Sequence, residues 1–296
     1  MSESSSSSSS SSYTLPYVFI FDIDQCLIGD IGSASYEYAV VKMIFKKCKI
    51  ENILNDCSVS NETIDIVDEL NNGLLRPNFK KFIDYIKKKY KDVELFIYTK
   101  STHNWTNNTK MVNIEKASGV KFNKPYFTRE NTSNGEKLLG NIYETIMREL
   151  IKKYPGLKEN INKKKVFDER LVFIDDIQNN LKDYPKKQIV CPEYNYTCYY
   201  DIQSKIMKKY KVPKKLFNDI EILEYFENYD LPIYNKKGNK FQQDKIYQNL
   251  LKLSQERNTQ IINDFKDTFF TDLMKILKTV KTFDEKTIDK INKALV

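Results

Sequence analysis

Three short apolar runs in this chain each stop on oxygen-bearing side chains, and that pattern constrains the fold more than any other feature. "YVFIF", residues 17–21, leads into Asp22 and Asp24; "VELFIYT", residues 93–99, closes on Thr99; "RLVFIDD", residues 170–176, closes on Asp175 and Asp176. An unbroken apolar run is how a parallel strand buried on both faces reads. The carboxyl ends of such strands are where open α/β sheets gather their ligands. One such end alone reads equally well as a charged turn or as the cap of a following helix. Three of them place the acids of separate segments at one crevice, provided the strands are neighbours.

The segments between the runs have helical periodicity. "SASYEYAVVKMIFKKCKIENIL" sets Tyr38, Val41, Ile44 and Phe45 near a 3.6-residue period, and "RPNFKKFIDYIKKKY" puts Phe79, Phe82, Ile83 and Ile86 on one face. "NETIDIVDELNNG" offers a short helix between them, and a further helix stops at Pro155 and Gly156. "QIVCP" reads as one more strand, closed by Pro192. Strands alternating with helices predict an α/β fold, a doubly wound and mostly parallel sheet, with a helical insertion around residues 34–72.

Residues 1–13, nearly all serine, bury nothing and are expected to be a disordered tail. The sheet domain is expected over residues 14–203, and residues 204–296 as a helical C-terminal extension or small second domain, either docked on the sheet domain or serving as a partner-binding module. At 296 residues with 41% hydrophobic side chains, the chain can build a sizeable core.

Composition also removes function classes. The single His103 leaves no histidine-rich zinc site and makes a histidine-based acyl-transfer triad a poor fit. The five cysteines, Cys26, Cys48, Cys57, Cys191 and Cys198, form no C-x-x-C pair and read as reduced thiols inside a cell. The net charge of +8 lies largely in lysine-rich helix and loop faces, and no zinc-finger spacing or basic zipper accompanies it, so nucleic acid is not the favoured partner. Neither end has the length of a membrane span or the pattern of a secretory signal, which points to the cytoplasm or nucleus.

Carboxylates converging on one crevice repel one another unless a cation intervenes. Mg²⁺ suits such a site, being a hard ion that prefers oxygen ligands and commonly also holds substrate phosphate. With the charge neutralised, an aspartate can attack phosphorus.

With these residues in place, the chain resembles the haloacid-dehalogenase-like phosphatases. "FDIDQC" is similar to their first motif, Thr99 in "LFIYTKS" to the second, and "VFIDDI" to the acidic pair of the fourth. Within that superfamily, "LLRPNFKKFIDYI" followed by "VELFIYTKSTHNW" is similar to the group that dephosphorylates the C-terminal domain of RNA polymerase II. The resemblance covers roughly residues 17–195. It implies Asp22 as nucleophile, Asp24 as general acid and then base, and Thr99 as a donor to phosphate. It also implies Mg²⁺ held by Asp22, the Asp24 carbonyl, Asp175 and Asp176. A lysine should offset phosphate charge; Lys137 fits best, with Lys163, Lys164 and Lys165 as rivals.

The chain departs from that family at three points: Cys26 replaces Thr or Val, Gln25 an acid, and Asn78 a glycine. Cys26 reads as a small packing residue. The expected substrate is phosphoserine or phosphothreonine in a protein. A nucleotide, metabolite or nucleic-acid end is the alternative, and a non-catalytic scaffold on the same fold is a third.

Overall fold

The computed structural model describes residues 14–56, 65–196 and 266–295, isolated positions between 211 and 252, and of residues 33–38 the backbone only. The serine tail, the side chain of Tyr38, the start of the "NETIDIVDELNNG" helix and most of the helical segments expected between 204 and 265 lie outside the described residues.

The three apolar runs form the strands β1 (Tyr17–Phe21), β2 (Val93–Ile97) and β3 (Leu171–Asp175), and β4 spans Gln188–Val190. All pairs are parallel and the order is β2-β1-β3-β4. The strand on which Asp22 follows therefore lies between the other two acid- or hydroxyl-bearing strands. In register, Phe21 is level with Ile97 on one side and Ile174 on the other, so Asp22 and Asp175 are the next residues along adjacent strands. Because the chain moves from β1 outward to β2 and then back across to β3, the strand order reverses here, which opens a crevice at the carboxyl ends.

The strand side chains alternate between two cores, as the period of two requires. Phe19, Phe21, Leu95, Ile97, Val172 and Ile174 face one side. Val18, Ile20, Phe96, Leu171 and Phe173 face the other, against α4 (Gly140–Lys153) and α5 (Asn160–Arg170). The helix α1 (Gly32–Ile50) follows β1 and buries Val40, Val41, Ile44 and Cys48, while Phe45 is half-buried. On the first face α2 (Phe79–Lys89) inserts Phe79, Phe82, Ile83 and Ile86, the stripe that the periodicity picks out. Each such side chain contributes about 1.5–3 kcal/mol on burial. After β2, a helical stretch ends in α3 (Met111–Ser118).

The C-terminal helices α6 (Phe269–Leu277) and α7 (Glu285–Leu295) complete the first face. Phe270 packs on Phe82 with ring centroids 4.9 Å apart. Asn292 of α7 accepts from Val190 N at 3.0 Å and donates to Gln188 O at 2.9 Å, so a side-chain amide closes the open edge of β4. No helix among the described residues is long and apolar enough to cross a membrane.

Asn78 starts α2 in the left-handed region, φ 63°. Glycine enters that region without strain, and among other residues asparagine is one of the few that does so readily. Asn78 thus enters α2 in a conformation that a glycine would also adopt.

Candidate active site

The loop after β1 is a tight turn folded back on itself. Leu27 N donates to Ile23 O at 2.9 Å and Gln25 N to Ile28 O at 2.8 Å, with Ile23 wholly buried between the two aspartates. Gln25 takes a left-handed conformation, φ 57°, and its amide donates to Glu193 and Asn195 across the mouth. Cys26 is fully buried and its thiol points at Ile174 O, 3.5 Å away. Burial pushes that thiol's pKa well up, so it is a packing group and a weak donor.

Asp22, Asp175 and Asp176 form one cluster, with a carboxylate oxygen of each within 4.8 Å of the others. Lys137 reaches into it, completely buried, with its ammonium 2.7 Å from Asp175 Oδ2 and 3.0 Å from Asp22 Oδ2. The aromatic faces of Phe173 and Tyr98 lie 5.2 and 5.9 Å from the same nitrogen. The backbone around Lys137 is fixed independently. Lys182 N donates to Lys137 O at 3.0 Å, and the Asp183 carboxylate caps α4 by accepting from Leu139 N and Gly140 N, both at 2.8 Å. Helices α4 and α5 run out and back, which brings Lys137 beside Asp175, 38 residues further on. Lys163 and Lys164 instead line an outer groove with Tyr143, Phe167 and Tyr184, and Lys165 is exposed on the same helix.

Asp175 is held rigidly: its Oδ1 accepts from Ile177 N at 2.8 Å and its Oδ2 from Asn180 Nδ2 at 2.9 Å. Two other oxygens of the cluster, Asp22 Oδ1 and Asp176 Oδ1, are buried with no hydrogen-bond partner among the described residues. Such atoms cost free energy unless something else satisfies them. Burial lifts the pKa of Asp22 to about 7; Lys137 opposes the rise, and Asp175 and Asp24 add to it. Burial and Asp175 together lift Asp176 to about 6. At Lys137, burial works against the charge, but the carboxylates of Asp22 and Asp175 outweigh it and hold the pKa above its ordinary value.

Three carboxylates against one lysine leave two negative charges, and the donor set is oxygen throughout. That fits a hard divalent cation such as Mg²⁺, for which Asp22, Asp175 and Asp176 are the candidate ligands. A consequence follows for pH. Since the folded-state values of Asp22 and Asp176 exceed the ordinary 3.8, the cation-free fold loses stability as pH rises from about 4 through about 7 and these groups ionise. Mg²⁺ therefore raises the melting temperature more at about pH 8 than at about pH 5, where protons already occupy the oxygens. Thermal melts with Mg²⁺ and with a chelator at both values check this; equal shifts would contradict it.

Thr99 follows β2 and is fully buried; its N donates to Phe127 O at 2.9 Å and its Oγ1 accepts from Ser101 N at 3.2 Å. Asp24 offers no carboxylate oxygen to the group of three acids. Its carboxylate stands outside the three-acid cluster, ion-paired with Lys110 Nζ and accepting from Ser101 Oγ at 2.8 Å, and its side chain remains 42% exposed. Lys110 belongs to no motif read from the sequence, whereas Ser101 stands inside the "LFIYTKS" segment without a role of its own there. The only sequence hint is Ser101 lying two residues past Thr99.

The chain matches no family model, no curated protein and no solved structure.

Proposed function

We propose that this protein is a Mg²⁺-dependent phosphomonoesterase that transfers the phosphoryl group to Asp22 and then to water. The observation that carries this reading is the three-acid cluster at the ends of adjacent parallel strands, with Lys137 inside it and two buried oxygens left for a cation. The resemblance to the haloacid-dehalogenase-like phosphatases supports the same assignment.

Asp22 attacks phosphorus with its carboxylate while Lys137, fixed against Asp22 and Asp175, offsets the charge gathering there. Bound Mg²⁺ would neutralise the phosphate oxygens. Asp24, exposed at the mouth, protonates the leaving oxygen and later takes the proton of the attacking water. Thr99 N and Oγ1 are already engaged with Phe127 and Ser101, so its contribution to phosphate is through the hydroxyl hydrogen.

The substrate class we infer is phosphoserine or phosphothreonine in a protein. The exposure of Asp24 supports an open approach, in which an extended chain reaches the acids. Under this reading kcat/KM rises with peptide length, and free phosphoserine, phosphothreonine and mononucleotides are poorer substrates than a phosphopeptide. A hydrolysis series across these substrates, with and without Mg²⁺, tests it. Flat length dependence with faster mononucleotide hydrolysis would assign the site to small phosphomonoesters instead.

A further inference from the structure

Lys110 is nearly as buried as Lys137, at 3% exposure, yet no motif accounts for it. It comes from the helical stretch that precedes α3. Between Thr106 and Lys110 this stretch loosens into a π-type turn. Such turns are rare and are frequently found at functional sites. Here the turn delivers an ammonium to Asp24 Oδ1 and, 2.7 Å away, to Ser101 Oγ. Ser101 Oγ in turn donates to Asp24 Oδ2 at 2.8 Å. Both carboxylate oxygens of a side chain that is itself 42% exposed are thus held from below by a buried clamp.

We propose that Lys110, with Ser101, is the positioning device for Asp24, keeping its carboxylate at the mouth of the site and out of the three-acid cluster. This rests on the phosphomonoesterase reading. In the first step the Asp22 oxygen forms a bond to phosphorus, the bond from phosphorus to the leaving oxygen breaks, and Asp24 gives that oxygen its proton. In the second step a water oxygen bonds to phosphorus, its proton passes to Asp24, and the bond to Asp22 breaks. A carboxyl group drawn in among the cluster acids would be out of reach of the leaving oxygen. A clamp of this kind matters most when the leaving group is an alkoxide, which needs the proton, and least when it is 4-nitrophenolate, which does not.

The test is kcat/KM of the full chain with Mg²⁺ on a phosphoserine peptide and on 4-nitrophenyl phosphate. The proteins compared are wild type, Lys110→Met, Lys110→Arg, Ser101→Ala, Asp24→Asn and the Asp24→Asn/Lys110→Met double variant. The expected result is a loss of about 10²-fold on the peptide for Lys110→Met, under about tenfold on the aryl ester, and partial recovery in Lys110→Arg. Ser101→Ala shows the same selectivity more weakly, and serves alone should Lys110→Met fail to fold. Adding Lys110→Met to Asp24→Asn costs nothing further. Equal losses on both esters, or losses that multiply in the double variant, overturn the role of Lys110 while leaving the phosphatase reading standing. A wild-type protein that hydrolyses neither ester overturns both.

Discussion

Under the proposed phosphomonoesterase reading, Asp22→Asn is expected to abolish turnover, by on the order of 10³-fold or more, and to leave the fold in place. The amide is nearly the same size as the carboxylate but is a poor nucleophile, so no acyl phosphate forms. The structural cost is small because Lys137 keeps its bond to Asp175 at 2.7 Å, and Asp22 Oδ1 has no hydrogen bond to lose. Burial, with repulsion from Asp175 and Asp24, outweighs the attraction of Lys137 and raises the pKa of this carboxylate to about 7, so its removal costs little even though the 3.0 Å contact with Lys137 weakens. The variant therefore melts at or above the wild-type temperature above about pH 7 without Mg²⁺. A pure variant with wild-type activity, or one that unfolds, would contradict the assignment.

The second large effect is on stability and lies beneath the site. Arg76, 1% exposed, donates through Nη2 to Asp267 Oδ2 at 2.7 Å and to Pro192 O at 2.8 Å, and through Nη1 to Cys26 O at 3.1 Å. Its guanidinium also lies 4.7 Å from the ring centre of Phe269. One side chain thereby ties the loop carrying the aspartates, the exit of β4 and the segment leading into α6. Truncation to Met leaves Asp267, 7% exposed at its side chain, without its partner, and three segments without their common donor. Breaking a buried pair from one side costs about 3–5 kcal/mol. At about 2–4 °C per kcal/mol for a chain of this order, Arg76→Met lowers the melting temperature by roughly 6–20 °C. Asp267→Ala has a similar cost, and the double variant loses less than the sum. A calorimetric melt of the three variants checks this; an Arg76→Met protein within a degree or two of wild type would mean that the apolar contacts alone hold the C-terminal helices.

How much of this was legible in the sequence depended on how local each signal was. The strands announce themselves because a strand buried on both faces is apolar almost throughout, Glu94 of β2 and the closing Asp175 of β3 being the exceptions, and β1, β2 and β3 appear where the apolar runs lie. The buried stripe of α2 follows from spacing alone. Asp22, Asp175 and Asp176 were legible because each ends such a strand, and neighbouring parallel strands bring their ends together. The place of Lys137 depended on two helices of the right length returning the chain, which spacing does not reveal. The resemblance ranked it ahead of Lys163–Lys165 without excluding them. Lys110 was hidden for a different reason: a lysine in a polar helical stretch reads as a solvated face, and nothing local to it announces Asp24, 86 positions away. The Arg76–Asp267 pair spans 191 positions, and nothing local to either residue announces the other. The Asp24 carboxylate, two residues from Asp22, is paired with Lys110, which no motif announced.

The central claim is that the phosphoryl group passes through Asp22. Borohydride reduces an aspartyl phosphate to homoserine, so quenching the protein with borohydride during turnover of a phosphate ester with Mg²⁺ marks the attacked residue permanently. Peptide mass spectrometry then reads the position. The account predicts homoserine at position 22, dependent on substrate and absent from Asp22→Asn. Homoserine at another acid, or none at position 22 while the ester is turned over and the intermediate is trapped at its steady-state level, would contradict it.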